Sequence, residues 1–215
     1  MKKSWIRIAA VLVVLLGTLL TTKDAEASHF RYGNIRWRLP NPVAGPRTVE
    51  FELTMAWRQA ACVTSVSLNR GNGQGTATVA MPIIGTGVDA VGEAYCITQG
   101  FHTVTYTGAA TEMTAFFTGC CRIGTLQNAA NDSFRLESRV SLRPGNTGGP
   151  VSGIPVIIQF EIGSVQQFVL PTFDPDADPF TCRFSTLAES AINPGPHPPV
   201  VPATNVPPTL VFNNN

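Results

Sequence analysis

Residues 49–57 read Val49-Glu50-Phe51-Glu52-Leu53-Thr54-Met55-Ala56-Trp57, and apolar and polar side chains alternate through almost the whole stretch. Val49, Phe51, Leu53, Met55 and Trp57 share one face, with Glu50, Glu52 and Thr54 on the other. A period of two predicts a strand with one buried face, because successive side chains of extended backbone point to opposite sides. A helix would scatter the same apolar residues around its circumference.

The same alternation recurs in shorter pieces. In SHFRYGNIRWR (28–38), Phe30 and Tyr32 share one parity while Ile35 and Trp37 share the other. A β-bulge at Gly33-Asn34 is expected, since one extra residue flips the inward face. Residues 101–107 set Val104 and Tyr106 against Thr103 and Thr105. Residues 134–142 set Phe134, Leu136, Val140 and Leu142 against Arg135, Glu137, Arg139 and Ser141. Further strands are expected at 64–68, 76–84 and 112–119, with NRGNGQG (69–75) and 85–92 as turns and Pro82 at a strand edge or end. Helical spacing is confined to one turn near 125–130, and no internal repeat stands out. The chain is therefore expected to be all-β, an antiparallel β-sandwich.

Export is written at the start. Lys2, Lys3 and Arg7 precede an apolar run at 8–20 too short for a comfortable membrane span, and Ala25-Glu26-Ala27 supplies small residues for cleavage. Residues 1–27 are expected to be a signal peptide, an uncleaved anchor being the alternative. The mature chain then begins at Ser28, is secreted or held at the cell surface, and carries no further membrane span. A net charge of +1 without a basic cluster argues against nucleic acid and against an electrostatic membrane grip.

Cys62, Cys96, Cys120, Cys121 and Cys182 meet an oxidising compartment, where most should form disulfides, although spacing leaves the pairing open. Cys120 and Cys121 adjoin at an expected strand end, so their side chains should face opposite ways and take different partners. A vicinal disulfide is the strained alternative. The odd total implies a free thiol, an intermolecular bridge, or a partner outside this chain.

The most pointed chemistry lies in FDPDADPFTCRFS (173–185). Asp174, Asp176 and Asp178 alternate with Pro175, Ala177 and Pro179, and residues 180–185 read as a strand. Alternate carboxylates suit Ca²⁺, which takes about six to eight oxygens. The EF-hand pattern is excluded, because Pro179 stands at its glycine position and Ser185 at its glutamate position. The competing reading is an Asp-Pro turn whose carboxylates cap backbone amides. Upstream, RPGNTGGP (143–150) marks a boundary, and strands are expected at 154–160 and 165–173 around a hairpin at Gly163-Ser164.

Residues 150–185 resemble the first half of a cadherin-like or immunoglobulin-like module, which carries a DPDGDPLTYSL-type motif after a strand. Asp174, Asp176 and Asp178 match its three acids, whereas Ala177 replaces the usual glycine and Cys182 the usual tyrosine. The resemblance implies completion of a calcium site by neighbouring acids, for which Glu161, Glu189 and the remote Asp132 are candidates. More broadly, the HFRYG start, FFTGCCRIGTLQN (116–128) and the DPDAD segment resemble a family of secreted β-rich proteins of bacteria and animals. That likeness implies an extracellular β-rich protein with further modules downstream and no particular activity. The expected organisation is a signal peptide (1–27), a β-sandwich (28–146) and a partial cadherin-like/Ig-like module (150–192). Residues 193–215 are a proline-rich tail or the remainder of a module cut short.

Catalytic patterns are weak. His29, His102 and His197 stand in no triad setting and no G-x-S-x-G occurs. Cleavage after Ser28 would make His29 an N-terminal copper ligand, at the cost of Glu26 at a position that wants a small residue. Glu50 and Glu52 read as a solvated strand face rather than a glycosidase pair, and Trp37 and Trp57 as core rather than a sugar platform. Arg122 is expected to anchor a nearby carboxylate. The chain is accordingly expected to be a structural or adhesion-type protein, calcium-stabilised and non-enzymatic, meeting an extracellular protein or glycan. The alternative is a secreted carbohydrate-binding module or enzyme on the same scaffold.

Overall fold

The structure, a computed structural model, describes residues 30–41, 47–124, 132–160, 167–183, 185, 186 and 189. The expected signal peptide, the turn near 125–130, the hairpin at Gly163-Ser164, the tail at 193–215, and His29, His197 and Glu161 lie outside the described residues. The strands are β1 (Phe30–Arg38), β2 (Thr48–Arg58), β3 (Ser65–Asn69), β4 (Thr76–Ala80), β5 (Ile83–Val88), β6 (Ala94–Thr105), β7 (Glu112–Gly119), β8 (Phe134–Ser141), β9 (Val151–Ser152) and β10 (Thr172–Phe173). They form two four-stranded sheets, ordered β1-β2-β6-β5 and β4-β3-β7-β8, and a small β10-β9 pair. Every strand pairing is antiparallel.

β2 is central to the first sheet, and its alternation does what the sequence implies. Val49, Phe51, Leu53, Met55 and Trp57 are all buried, and they meet Val66 and Leu68 of β3, Val79 of β4, Met113 and Ala115 of β7, and Phe134 and Val140 of β8 in one core. The two sheets thus bury each other's apolar faces, which is the main source of stability in a sandwich. Phe30 stacks on Phe134 with ring centroids 3.7 Å apart, and Trp57 meets both rings edge-on at 5.4 and 6.0 Å. Both Trp37 and Trp57 are core residues. The Trp57 indole Nε1 donates to Thr98 Oγ1 at 3.2 Å, so the buried hydroxyl and the buried N–H satisfy each other.

Several details differ from the sequence reading. The irregularity in β1 falls between Phe30 and Tyr32, two residues before the Gly33-Asn34 position. Arg31 is the extra residue there, and its guanidinium is drawn sideways to Asp89 (2.6 Å) and Glu93 (2.5 Å). Phe30 is therefore core, whereas Tyr32 joins Asn34 and Arg36 on the outer face. Residues 76–84 are two strands: the chain breaks at Met81-Pro82 and crosses from the second sheet to the first. Gly85 and Gly87 belong to β5, and the turn is reduced to residues around Asp89–Glu93. Among the described residues, 154–160, 167–171 and 180–183 are not strands, so the expected strand at 165–173 is reduced to Thr172–Phe173. Pro155 interrupts the first of these and Pro179 directly precedes the last, and among the described residues the two-residue strands β9 and β10 offer no second layer to cover an apolar face, leaving Phe160 and Val169 exposed.

Candidate functional site

The acidic loop is built by Asp174. Its Oδ1 accepts the backbone N–H of Asp176 (2.9 Å) and of Asp178 (3.3 Å), and its carbonyl accepts the N–H of Ala177 (3.1 Å). This is the capping behaviour expected of aspartate beside proline. The turn puts Ala177 at φ +60°, the left-handed region where the glycine of the resembled motif would sit without strain. Asp176 points the other way. Its carboxylate accepts from Thr147 N (2.6 Å), Thr147 Oγ1 (2.5 Å) and Gly148 N (3.2 Å). Burial pushes the pKa of Asp176 up, but these three donors outweigh it and hold the carboxyl below its usual range.

The three acids do not converge on one point. Asp174 serves its own loop, Asp176 serves residues 147–148, and Asp178 is exposed. Among the proposed helpers, Asp132 caps Ser133 N (2.8 Å), and Glu189 pairs with Arg183 (2.6 Å). Arg183 and the Thr186 amide and hydroxyl draw the pKa of Glu189 down to about 2. Among the described residues no group of three or more His, Cys, Asp or Glu is placed to hold a metal. Among the described residues, the donor set as arranged does not fit Ca²⁺.

Residues 147–149 are themselves fastened to the sandwich. Leu39 N donates to Thr147 O (2.7 Å), Gly149 N donates to Trp37 O (3.2 Å), and Arg38 bridges Gly148 in antiparallel fashion. The segment covers the outer edge of β1. A Cβ on Gly149 would lie 2.6 Å from the Trp37 indole nitrogen, so the close approach requires glycine. Asp176 consequently clamps the DPDAD loop to a strand-like extension of the first sheet. Pro175 lies against Gly148 in the same joint.

Above this joint, the outer face of the first sheet is polar. Arg36 pairs with Glu52 through Nε (2.7 Å) and a second, shorter contact, and Arg38 with Glu50 (2.5 Å). Gln99 Nε2 donates to the other Glu52 oxygen at 2.9 Å. Both glutamates thus spend their charge on cross-strand arginines. Residues 151–156 pass over this face and enclose a cleft of about 210 Å³, lined by Tyr32, Asn34, Arg36, Glu52 and Thr54 on the sheet side. Burial raises the Tyr32 pKa, opposed by a hydrogen bond with Asn34.

Other groups singled out in the sequence are dispersed. Cys62, just past β2, is bonded to Cys96 of β6 across 34 residues of chain. Cys120 and Cys121 are bonded to each other, not to separate partners. β7 ends at Gly119, so strand alternation does not govern these two side chains. Cys182 is half-buried. Arg122 donates from Nε to Ser133 O (3.1 Å), with Asp132 close enough to act on its charge. His102 lies on β6 with Nε2 buried and without a hydrogen-bond partner among the described residues. Burial and, next, the Arg70 charge lower its pKa. Sequence reasoning missed the ion cluster of Arg31, Asp89, Glu93 and Arg58 at one end of the first sheet, in which the Arg31 and Asp89 side chains are only 7% exposed. Its sole local signal is two acids bracketing the turn before β6.

Comparison with known proteins adds the following. A family profile described as "Integrin beta-like protein A-E, N-terminal" matches residues 31–143, just over half of the chain and the body of the sandwich. Integrin beta-like protein C of Dictyostelium discoideum is 30% identical over 168 residues, covering 69% of this chain and 8% of that protein. Integrin beta-like protein A of the same organism is 26% identical over 182 residues, covering 74% of this chain and 9% of that protein. The chain therefore spans less than a tenth of the length of these relatives. No solved structure matches it.

Proposed function

The chain belongs to the integrin beta-like protein A–E N-terminal family, and from that premise we propose that it works outside the cell as a non-enzymatic, adhesion-type β module. The observation that carries this reading is the coincidence of the family match with the two-sheet body. Such a scaffold, tied by the Cys62–Cys96 disulfide, presents a fixed outer face to an extracellular protein or glycan. The joint at residues 147–149 and 174–178 would hold whatever follows the sandwich at a set angle. Support for a joint that works without calcium comes from Asp176, which commits both carboxylate oxygens to Thr147 and Gly148.

Two measurements test the reading. N-terminal sequencing of protein recovered from culture medium should begin at Ser28, and recovery only from the cytosol would overturn export. Beads coated with the secreted protein should be retained on surfaces of the producing cells or their matrix more strongly than blank beads. Equal retention would remove adhesion. A hydrolytic activity that survives purification would favour the enzyme alternative instead.

A further inference from the structure

We propose that the cleft between the outer face of β1–β2 and residues 151–156 binds one neutral sugar ring of an extracellular glycan. This deepens the adhesion reading, on which it rests, by naming a ligand class and a place.

The floor is set by strand register. Asn34 stands opposite Thr54, and Arg36 opposite Glu52, so amide, hydroxyl, guanidinium and carboxylate lie side by side on one face. Arg36 donates to Glu52 Oε2 and Gln99 donates to Glu52 Oε1, which fixes the carboxylate and cancels its charge locally. A free anion would meet the glutamate, and a free cation would meet the arginine. A fully apolar ligand would match Val151, Ile154 and Val156 on one wall but would shut water away from the hydrogen-bonding capacity that Asn34, Arg36 and Thr54 still have on the floor. What suits this lining is a ligand that both donates and accepts at closely spaced points without net charge. Vicinal hydroxyls do this: a planar guanidinium beside a carboxamide offers paired donors, and Thr54 Oγ1, which accepts from Gln99 at 3.4 Å, keeps its own proton to donate.

The aromatic and the size complete the case. Tyr32 was displaced to the outer face by the irregularity at Arg31 and lines the same cleft. Its ring supplies an apolar surface for the C–H face of a pyranose, while the hydroxyl end stays polar. The volume of about 210 Å³ falls below the ~300–1,000 Å³ usual for drug-sized ligands, which selects a single ring rather than an engulfed oligosaccharide. The second wall, from residues 151–156, hangs between the joint and β10, so the cleft exists only while that segment is folded over the sheet. A single ring with few fixed donors should bind with a Kd of about 1 mM.

The test is a two-dimensional amide NMR titration of the secreted chain with methyl glucoside, methyl galactoside, methyl mannoside and N-acetylglucosamine, each taken to about 50-fold the expected Kd. At least one should give saturable shifts confined to residues 32–36, 52–54 and 151–156. Tyr32→Ala should weaken that binding at least tenfold while the β2–β6 amide pattern is retained. If Tyr32→Ala does not fold, Thr54→Val, which removes the outward hydroxyl together with its 3.4 Å contact from Gln99 Nε2, takes its place with the same expected loss. No saturable shift with any of the four sugars, or shifts unchanged in the folded variant, would overturn the proposal. Bead adhesion is read separately: adhesion with a silent titration removes the sugar site alone, and a saturating titration without adhesion removes the adhesion reading alone.

Discussion

Replacing Asp176 by alanine isolates the joint between the sandwich and the DPDAD loop. The change deletes an acceptor used by Thr147 N, Thr147 Oγ1 and Gly148 N at 2.6, 2.5 and 3.2 Å. Hydrogen bonds to a charged partner contribute about 1.5–3 kcal/mol each when buried. Asp176 is only partly buried, and water can reach both amides once the carboxylate is gone, so roughly a third of the sum should survive as a net loss. That is about 2 kcal/mol. The loss should appear as local opening rather than global unfolding, because the core of the two sheets is untouched. Native-state hydrogen exchange reads it directly: protection at the Thr147 and Gly148 amides should fall about 30-fold, while β2 and β6 amides keep theirs. Asp176→Asn, which retains one acceptor oxygen, should fall in between. Acid should act in the same direction. The Asp176 carboxyl is held below its unfolded value, so its contribution is complete above the ordinary carboxylate pKa of about 4 and is lost as pH falls through the depressed folded value. Unchanged protection at both amides would refute the clamp. So would a wild-type melting temperature that rises with millimolar Ca²⁺ while that of Asp176→Ala does not, since Asp176 would then be a cation ligand.

Three further outcomes are expected. Removing the Cys62–Cys96 disulfide by a double change to alanine frees a 34-residue loop in the unfolded chain and should cost about 4 kcal/mol, lowering the melting temperature by on the order of 10 °C in calorimetry. A drop of a degree or less would show that the bond does not form. Gly100→Ala places a Cβ 2.3 Å from the Ala80 carbonyl oxygen and 2.6 Å from Met81 Sδ, across to the other sheet. Backbone cannot yield there, so urea denaturation should show a loss of about 1–3 kcal/mol, and an unchanged midpoint would refute the close approach. Burial and Arg70 depress the His102 pKa, so the unfolded chain binds the extra proton more readily. Its stabilising effect is present above about pH 6.5 and lost as pH falls from there through the folded value. His102→Gln should flatten the fall in urea midpoint between about pH 7 and 5, and parallel curves for the two proteins would refute the assignment.

The alternation at 49–57 carries most of the fold into view, because every second side chain of β2 had to find an apolar partner and nothing but a facing sheet supplies one. Trp37, Trp57 and the Glu50–Glu52 face were legible for the same reason: parity alone separates core from solvent. Tyr32 was not. Its parity matches Phe30, and only the Arg31 irregularity, held by Asp89 and Glu93, 58 and 62 residues away, turns it outward to line the cleft. The acidic triplet shows the same limit. Proline and aspartate in alternation announce a turn, which Asp174 duly builds, but the same letters do not say where Asp176 points.

By itself, then, the sequence determined the all-β class and the faces of most strands, and it offered the capped acidic turn as one of two readings. These follow from interactions between residues one or two apart, where the geometry of extended backbone leaves few choices. The tertiary structure alone decided the sheet order, the disulfide partners, the outward turn of Tyr32, and the clamp of Asp176 on Thr147. Each of those joins groups that are distant along the chain; Asp176 and Thr147 are 29 residues apart. Their meeting depends on how two sheets and a return loop close around one core, which no local pattern encodes.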